Sequence, residues 1–176
     1  MGKRVLVVVD MQKDFVDGSL GSKEAVSIVP AVVKKARDFD GTVLFTRDTH
    51  GEDYMETQEG KYLPVAHCVR GTEGWELIPE LEEMKDSRKA QCFDKPAFGS
   101  VALAEALRAM YEAGELGSVE LVGLCTDICV VSNALLIKAF MPELPVSVDA
   151  SCCAGVTPEK HAAALETMRS CQIQIL

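Results

Sequence analysis

The 176-residue sequence is poor in basic residues, in histidine and in long apolar runs. Its 18 Lys and Arg against 27 Asp and Glu leave a formal net charge of −9, which argues against nucleic acid and anionic membrane surfaces as partners. The apolar run at residues 5–9 ends at Asp10 without a small-residue cleavage site, and no later run is long enough to span a bilayer. Seven cysteines at irregular spacing favour reduced thiols over a disulfide framework. We therefore predict a cytoplasmic protein with no membrane or nucleic-acid partner.

The length fits one domain, and short runs of Val, Ile and Leu alternate with helical patterns. This alternation is typical of a parallel α/β sheet. Strands are predicted at 4–9, 42–46, 89–93, 119–123, 145–149 and 172–176. Helices are predicted at about 23–39, 98–113, 126–140 and 158–170. Thr126 or Asp127 is expected to cap the third helix, and Thr157, followed by Pro158, the last.

Reactive side chains stand at the ends of four consecutive predicted strands. Asp10 follows the first strand, Asp48 and His50 the second, Lys95 the third, and the segment 125–129 the fourth. In open α/β sheets, ligands bind at the carboxyl ends of the strands. A charge at one strand end often means only that the strand has reached water. Reactive side chains at four consecutive strand ends favour a functional site at this edge of the sheet.

The segment "GLCTDICVVSNA" at 123–134 holds Cys125 and Cys129, for which several roles are open. A zinc pair would need a matching second pair, a redox pair usually has the spacing C-x-x-C, and free cysteines are often simply buried. Cys129, however, falls in the first turn of the predicted helix, where backbone N–H groups favour a thiolate. Lys95 could lower the thiol pKa further and Asp10 could accept its proton, which would make Cys129 a nucleophile. The backbone N–H of Cys125 could then contribute to an oxyanion hole.

A second set of polar residues lies in or beside the stretch 49–74, which has no helical or strand period. Loops this long are usually functional. Asp48 and His50 form a D-x-H pair, and Glu59 and His67 could join them if the loop folds back. Two imidazoles and two carboxylates suit Zn²⁺, Mn²⁺ or Fe²⁺. The spacing is also compatible with ordinary satisfied polar side chains.

The chain resembles a known family, the isochorismatase-like cysteine hydrolases, and within it the nicotinamidases. The resemblance is carried by "VVVDMQKDFVDG" (7–18), "TRDTH" (46–50), "HCVRGTEG" (67–74), "DKPAFGS" (94–100) and "GLCTDICVVSNA" (123–134). It implies a single Rossmann-like, three-layer domain over residues 1–176, with six mostly parallel strands, helices on both faces and a metal-binding loop at about 48–74. It also implies a homo-oligomer, a dimer or a tetramer.

The resemblance assigns roles position by position. Asp10, Lys95 and Cys129 match the catalytic triad, and the N–H groups of Cys125 and Cys129 match the oxyanion hole. A cis peptide is expected between Leu124 and Cys125. The residues that match metal ligands are Asp48, His50, Glu59 and His67, and those expected in the substrate pocket are Phe15, Leu63, Phe98, Leu124 and Ile128.

The implied activity is hydrolysis of a small-molecule amide, nicotinamide, to nicotinate and ammonia through a thioester on Cys129. The implied cofactor is one divalent metal that binds the pyridine nitrogen, Zn²⁺ with Mn²⁺ or Fe²⁺ as alternatives, and no organic cofactor is expected. Two other functions are open. One is hydrolysis of a carbamoyl or ureido compound by the same chemistry, and the other is non-catalytic binding of a metal or ligand on the same fold.

Overall fold

The computed structural model of the protein describes residues 2–176, which form one sheet of six strands with the order β3-β2-β1-β4-β5-β6. All five strand pairs are parallel. The strands are β1 (Lys3–Val9), β2 (Thr42–Asp48), β3 (Cys92–Lys95), β4 (Leu116–Leu124), β5 (Val146–Ala154) and β6 (Gln174–Ile175). The predicted parallel α/β fold is therefore confirmed. The third strand lies later than predicted, and the sixth is shorter.

Helices cover both faces of the sheet, as expected for three layers. They are α1 (Lys13–Val16), α2 (Lys23–Asp38), α3 (Gln58–Tyr62), α4 (Pro79–Arg88), α5 (Val101–Glu112), α6 (Val131–Phe140) and α7 (Pro158–Ser170). Short 3₁₀ turns occupy Tyr54–Glu56 and Glu73–Trp75. Within residues 2–176, no helix has both the length and the apolar character needed to cross a membrane.

The central strand β1 shows why both faces are covered. Val5, Val7 and Val9 point into one apolar core with residues of α5, α6 and α7, whereas Leu6 and Val8 point into a second core with residues of α2 and α4. All five side chains are completely buried. A strand buried on both faces is a continuous apolar run, because successive side chains alternate between the two cores.

Two local predictions are wrong. The short helices α1 and α3 were not predicted, and neither was α4, whose sequence PELEEMKDSR is mostly polar and has Leu81 as its one buried residue. Thr126 and Asp127 do not cap the helix after β4. A five-residue π-helical turn, Thr126–Val130, precedes α6, and Cys125 occupies the cap position without a side-chain cap. Thr157 does cap α7, because its hydroxyl accepts a hydrogen bond from the N–H of Lys160.

The long loop between β2 and α4 is held by backbone pairing near its two ends. The N–H of His50 donates to the carbonyl of Cys68, and the N–H of Arg70 donates to the carbonyl of His50. The N–H of Cys68 also donates to the Asp14 carboxylate, at 2.8 Å. The loop therefore folds back and returns His67 to the edge of the sheet at which β2 ends.

Candidate active site

The carboxyl ends of β1 to β4 bring the predicted strand-end residues together. Asp10 directly follows β1, while Asp48 and Lys95 are the last residues of β2 and β3 and are paired in register. Cys129 lies in the π-helical turn after β4. The strands β2 and β3 extend to include Asp48 and Lys95, which were expected just beyond them. The edge of the sheet is the same.

Lys95 is the centre of the site. Its Nζ atom lies 2.7 Å from Oδ2 of Asp10, 3.3 Å from Sγ of Cys129 and 3.4 Å from Oδ1 of Asp48. It also donates to the carbonyl of Ala97, at 3.2 Å. The ammonium is completely buried and is surrounded by groups that can carry negative charge. The structure thus joins the three residues of the predicted triad through one side chain.

Asp10 is held by its backbone and by a neighbouring strand. Its φ of 49° lies in the left-handed region, which a residue other than glycine adopts rarely and often at functional sites. Its N–H donates to the carbonyl of Thr46, at 3.2 Å, and the Thr46 hydroxyl donates to Oδ1 of Asp10, at 2.6 Å. Oδ1 is therefore engaged by Thr46, which leaves Oδ2 to face Lys95 and the thiol.

Burial is the main influence on the pKa of the Cys129 thiol. Burial, reinforced by the charge of Asp10, raises the pKa of the Cys129 thiol well above its ordinary value, although Lys95 acts in the opposite direction. Burial also raises the pKa of Asp10, again against the effect of Lys95. Burial alone would lower the pKa of Lys95, but the charges of Asp10 and Cys129 raise it well above its ordinary value. A resting thiolate, expected from the helix terminus and Lys95, is not what these surroundings favour.

The turn that carries Cys129 is tied to the residues before it. The peptide bond between Leu124 and Cys125 is cis, as expected, and the Cys125 carbonyl accepts hydrogen bonds from the N–H groups of Ile128 and Val130, both at 3.0 Å. Burial, with the nearby Asp127 carboxylate, raises the pKa of the Cys125 thiol to about 12. The thiol in contact with the Lys95 ammonium, at 3.3 Å, is that of Cys129, so Cys129 is better placed for activation than Cys125.

Asn133, which sequence reasoning did not single out, connects this turn to the segment after Lys95. Its Nδ2 donates to the carbonyls of Cys129, at 2.8 Å, and Phe98, at 3.2 Å, while its Oδ1 accepts from the N–H of Ser100. Asn133 is almost completely buried. Asn133 lies inside the stretch 123–134, which could have indicated it as a site residue, but asparagine serves many purposes in helices.

The four predicted metal ligands form one cluster. Oδ2 of Asp48 lies 2.9 Å from Nε2 of His50 and 3.5 Å from Nε2 of His67, and Oε1 of Glu59 lies 3.7 Å from each imidazole nitrogen. One donor atom of each residue lies within 4.8 Å of the others. Ligands bound about 2.0–2.2 Å from a zinc ion stand roughly 3 Å apart, so this donor set fits a divalent metal.

Neighbouring groups orient these donors. The carbonyl of Val65 lies 2.8 Å from Nδ1 of His67, so the neutral imidazole donates there and turns the Nε2 lone pair toward the cluster. The Gln12 side chain binds both backbone groups of Asp48, with Oε1 accepting at 2.7 Å and Nε2 donating at 2.8 Å. Tyr54, completely buried, packs edge-on against both imidazoles. Gln12 and Tyr54 were not predicted from the sequence, although Gln12 stands only two residues after Asp10.

A cavity of about 710 Å³ lies beside the predicted triad and the metal-ligand cluster. Its lining includes Cys129 and Cys125 together with the predicted metal ligands Asp48, Glu59 and His67. All five predicted pocket residues also line it: Phe15, Leu63, Phe98, Leu124 and Ile128. Phe15 lies against the His67 ring, with their centroids 5.4 Å apart. The cavity therefore connects the thiol, the metal ligands and an apolar wall.

Comparisons with known proteins agree with this geometry. The family model of the isochorismatase domain matches residues 4–176. The chain is 29% identical to the nicotinamidase/pyrazinamidase of Mycobacterium tuberculosis over an alignment 189 residues long, which covers 98% of each chain. Because the family model covers nearly the whole chain, this protein belongs to the isochorismatase family.

Two solved structures are similar over almost their full length. The nicotinamidase/pyrazinamidase of Bacillus subtilis has a TM-score of 0.85 and 26% identity, with 98% of each chain covered. The pyrazinamidase of Pyrococcus horikoshii, solved in complex with zinc, has a TM-score of 0.79 and 30% identity, with 99% of this chain and 98% of that one covered.

Proposed function

We propose that this protein is a cysteine-dependent amidohydrolase, a nicotinamidase that converts nicotinamide and water to nicotinate and ammonia. The observation that carries the proposal is the shared cavity. The Cys129 thiol, which contacts the buried Lys95–Asp10 pair, lines it together with three of the four predicted metal ligands, Asp48, Glu59 and His67. The relatives named nicotinamidase/pyrazinamidase support the same activity.

The first half of the reaction transfers one proton and forms one covalent bond. Asp10 accepts the proton of the Cys129 thiol, and the sulfur attacks the carboxamide carbon. The N–H groups of Cys125 and Cys129 stabilise the oxyanion, and a single well-placed donor of this kind contributes about 3 kcal/mol. As the tetrahedral adduct collapses, the C–N bond breaks, protonated Asp10 gives its proton to the leaving nitrogen, and ammonia departs. A thioester remains on Cys129.

The second half restores the enzyme. Asp10, now ionised, accepts a proton from water as the water oxygen attacks the thioester carbon. The C–S bond breaks, the acid is released, and the proton returns to the sulfur. Lys95, 2.7 Å from Asp10 and 3.3 Å from the sulfur, stabilises whichever of the two carries the negative charge. The neutral resting thiol is compatible with this cycle, because Asp10 is the proton acceptor at each attack.

We propose that Asp48, His50, Glu59 and His67 hold a divalent ion, Zn²⁺ with Mn²⁺ or Fe²⁺ as alternatives. Its donor set fits such an ion, and the zinc complex of the Pyrococcus horikoshii pyrazinamidase supports zinc. When bound, the ion would take the pyridine nitrogen as a ligand and orient the ring. Phe15 and Leu124 would bind the flat faces of the ring and exclude water from the carboxamide.

The test is ammonia release from nicotinamide, pyrazinamide and a set of carbamoyl amides by protein of measured metal content. The wild-type protein should hydrolyse nicotinamide and pyrazinamide, and Cys129→Ala should lose the activity. Cys171→Ala, a change at an exposed cysteine, is the control and should remain active. Activity on carbamoyl amides alone would assign the chain to the other amidohydrolase reaction, and near-normal activity of Cys129→Ala would refute the thioester.

We further propose a cytoplasmic location, which is supported by seven free cysteines. We propose a homo-oligomer, a dimer or a tetramer, on the family resemblance, and light scattering of the purified protein tests it. A monomer at micromolar concentration would contradict this second prediction.

A further inference from the structure

The third histidine of the chain, His161, belongs to neither the triad nor the metal-ligand cluster. It lies in the first turns of α7, half-buried, and its Nδ1 atom is 2.7 Å from the hydroxyl of Thr126. Thr126 is completely buried and is the first residue of the turn that carries Cys129. Because a hydroxyl can both donate and accept, either tautomer of the imidazole preserves this contact.

Two further contacts attach the same turn to the chain just before His161. Oδ1 of Asp127 accepts a hydrogen bond from the N–H of Val156, at 3.0 Å. Gly155 is packed so closely that a Cβ atom added there would lie 2.8 Å from the backbone nitrogen of His161 and 2.9 Å from Oδ1 of Asp127. The segment from Gly155 to His161 is therefore in direct contact with the turn that presents the nucleophile.

The turn depends on this support because it lacks the usual local one. A helix start is normally held by a side chain at the cap position, and Cys125 makes no such hydrogen bond. The polar side chains of Thr126 and Asp127, which would be natural caps, are directed instead to residues 29–35 positions later in the chain. Tertiary contacts with α7 and the loop before it thus help to orient the first turn, together with the hydrogen bonds of the Cys125 carbonyl and of Asn133.

We propose that His161 is a positioning residue for amide hydrolysis. Through Thr126 it fixes the turn that presents the Cys129 sulfur and the N–H groups of Cys125 and Cys129. This proposal rests on the proposed function. Small displacements of a catalytic group cost rate, up to roughly a hundredfold for 1 Å. Loss of the His161–Thr126 contact should therefore lower kcat while it leaves nicotinamide binding nearly unchanged.

The experiment is a double-mutant cycle of His161→Leu and Thr126→Val, followed by kcat and KM for nicotinamide. Each single variant should lower kcat by roughly tenfold to a hundredfold with little change in KM, and the double variant should be no worse than the more impaired single variant. His161→Asn, whose amide places a polar atom near the position of Nδ1, should recover part of the loss. Glu166→Ala, on the exposed face of α7, is the matched control and should behave as wild type.

A kcat of His161→Leu close to that of wild type, or effects of the two single variants that multiply in the double variant, would overturn the proposal. So would equal losses for His161→Asn and His161→Leu, because a role in packing alone does not require the polar atom. Thermal unfolding of each variant checks that the loss of kcat does not simply follow a loss of folded protein.

A second readout needs no substrate, and it separates failure of this inference from failure of the proposed function. The alkylation rate of Cys129 by iodoacetamide, followed by peptide mass, should increase by more than about threefold in His161→Leu, because a loosened turn exposes the buried thiol. Exposed Cys171 is the internal reference and should react at the same rate in every variant. If wild type hydrolyses no amide, the proposed function fails; if the Cys129 rate is unchanged, the positioning role fails.

Discussion

Replacement of Lys95 by methionine should destabilise the fold far more than the loss of an exposed ion pair does. Lys95 and Asp10 are both completely buried and 2.7 Å apart, and Asp48 lies 3.4 Å away on the other side of the ammonium. Removal of one partner from a buried pair leaves the other charge uncompensated, at a cost of about 3–5 kcal/mol. We expect the free energy of unfolding of Lys95→Met to fall by about this amount.

The matched control is Lys34→Met. Lys34 and Asp38 form an ion pair of nearly the same length, 2.8 Å, on the exposed face of α2, where solvent screens the attraction. Urea unfolding of the two variants, compared with wild type at the same metal content, gives the two free energies directly. If Lys95→Met costs no more than Lys34→Met, burial does not govern the site as we argue.

The difference in unfolding free energy between wild type and Lys95→Met, the stability deficit of the variant, also depends on pH, which gives an independent check. Loss of Lys95 removes a group that lowers the pKa of Asp10, so in the variant that pKa rises further. A carboxyl group with a raised pKa in the folded state binds a proton more readily there than in the unfolded chain, so its contribution to stability falls as pH increases. The deficit of Lys95→Met should therefore widen between pH 5 and pH 8. A deficit that narrows over this range would contradict the assignment.

Three further predictions concern activity and metal binding. Burial raises the pKa of Asp10, which must be ionised to accept the thiol proton in the proposed mechanism. As the pH is lowered, kcat/KM should therefore begin to fall at a pH above the ordinary range of aspartate pKa values. A pH profile checks this, and a fall in kcat/KM only near pH 3.9 would contradict it. Cys125→Ala should retain most of the ammonia release that Cys129→Ala loses, because the substitution leaves the backbone N–H in place; equal losses would show that the Cys125 sulfur takes part. Gln12→Leu should weaken zinc binding about 10–100-fold in a chelator competition, because Gln12 holds both backbone groups of Asp48; unchanged affinity would refute this role.

Much of the sheet could be predicted because its strands are buried on both faces. The run 5–9 is short, continuously apolar and rich in valine, which favours a core strand over a buried helix, and the same applies to the apolar part of β4. Helix α4 could not be found in this way, since it contacts the core almost only through Leu81. Its end also explains the late start of β3. Lys89 adopts a left-handed conformation, so residues assigned to the strand form the helix terminus instead.

Site residues could be predicted where a reactive side chain lies at the end of a strand. They could not be predicted where a role depends on a partner that is distant in the sequence. Asp10, Asp48 and Lys95 could be placed on one edge because they stand at the carboxyl ends of predicted parallel strands. The partner of Thr126 could not be predicted, because His161 is 35 residues away and the local sequence favours a helix cap. The rise in the pKa of the Cys129 thiol was missed for a related reason. Its degree of burial is set by the assembled core and not by its own segment.

The order of the strands has a consequence for folding. Asp10, Asp48, Lys95 and Cys129 lie at or just after the ends of four different strands, which are ordered side by side as β3-β2-β1-β4 and are joined by long crossover connections. Parallel pairing of this kind requires contacts between distant parts of the chain and forms slowly. A sheet that lacks any one of these four strands does not hold the four groups together, whereas individual helices can form earlier. Recovery of ammonia release during refolding should thus report completion of the whole central sheet, and should lag behind the far-ultraviolet circular dichroism of the helices.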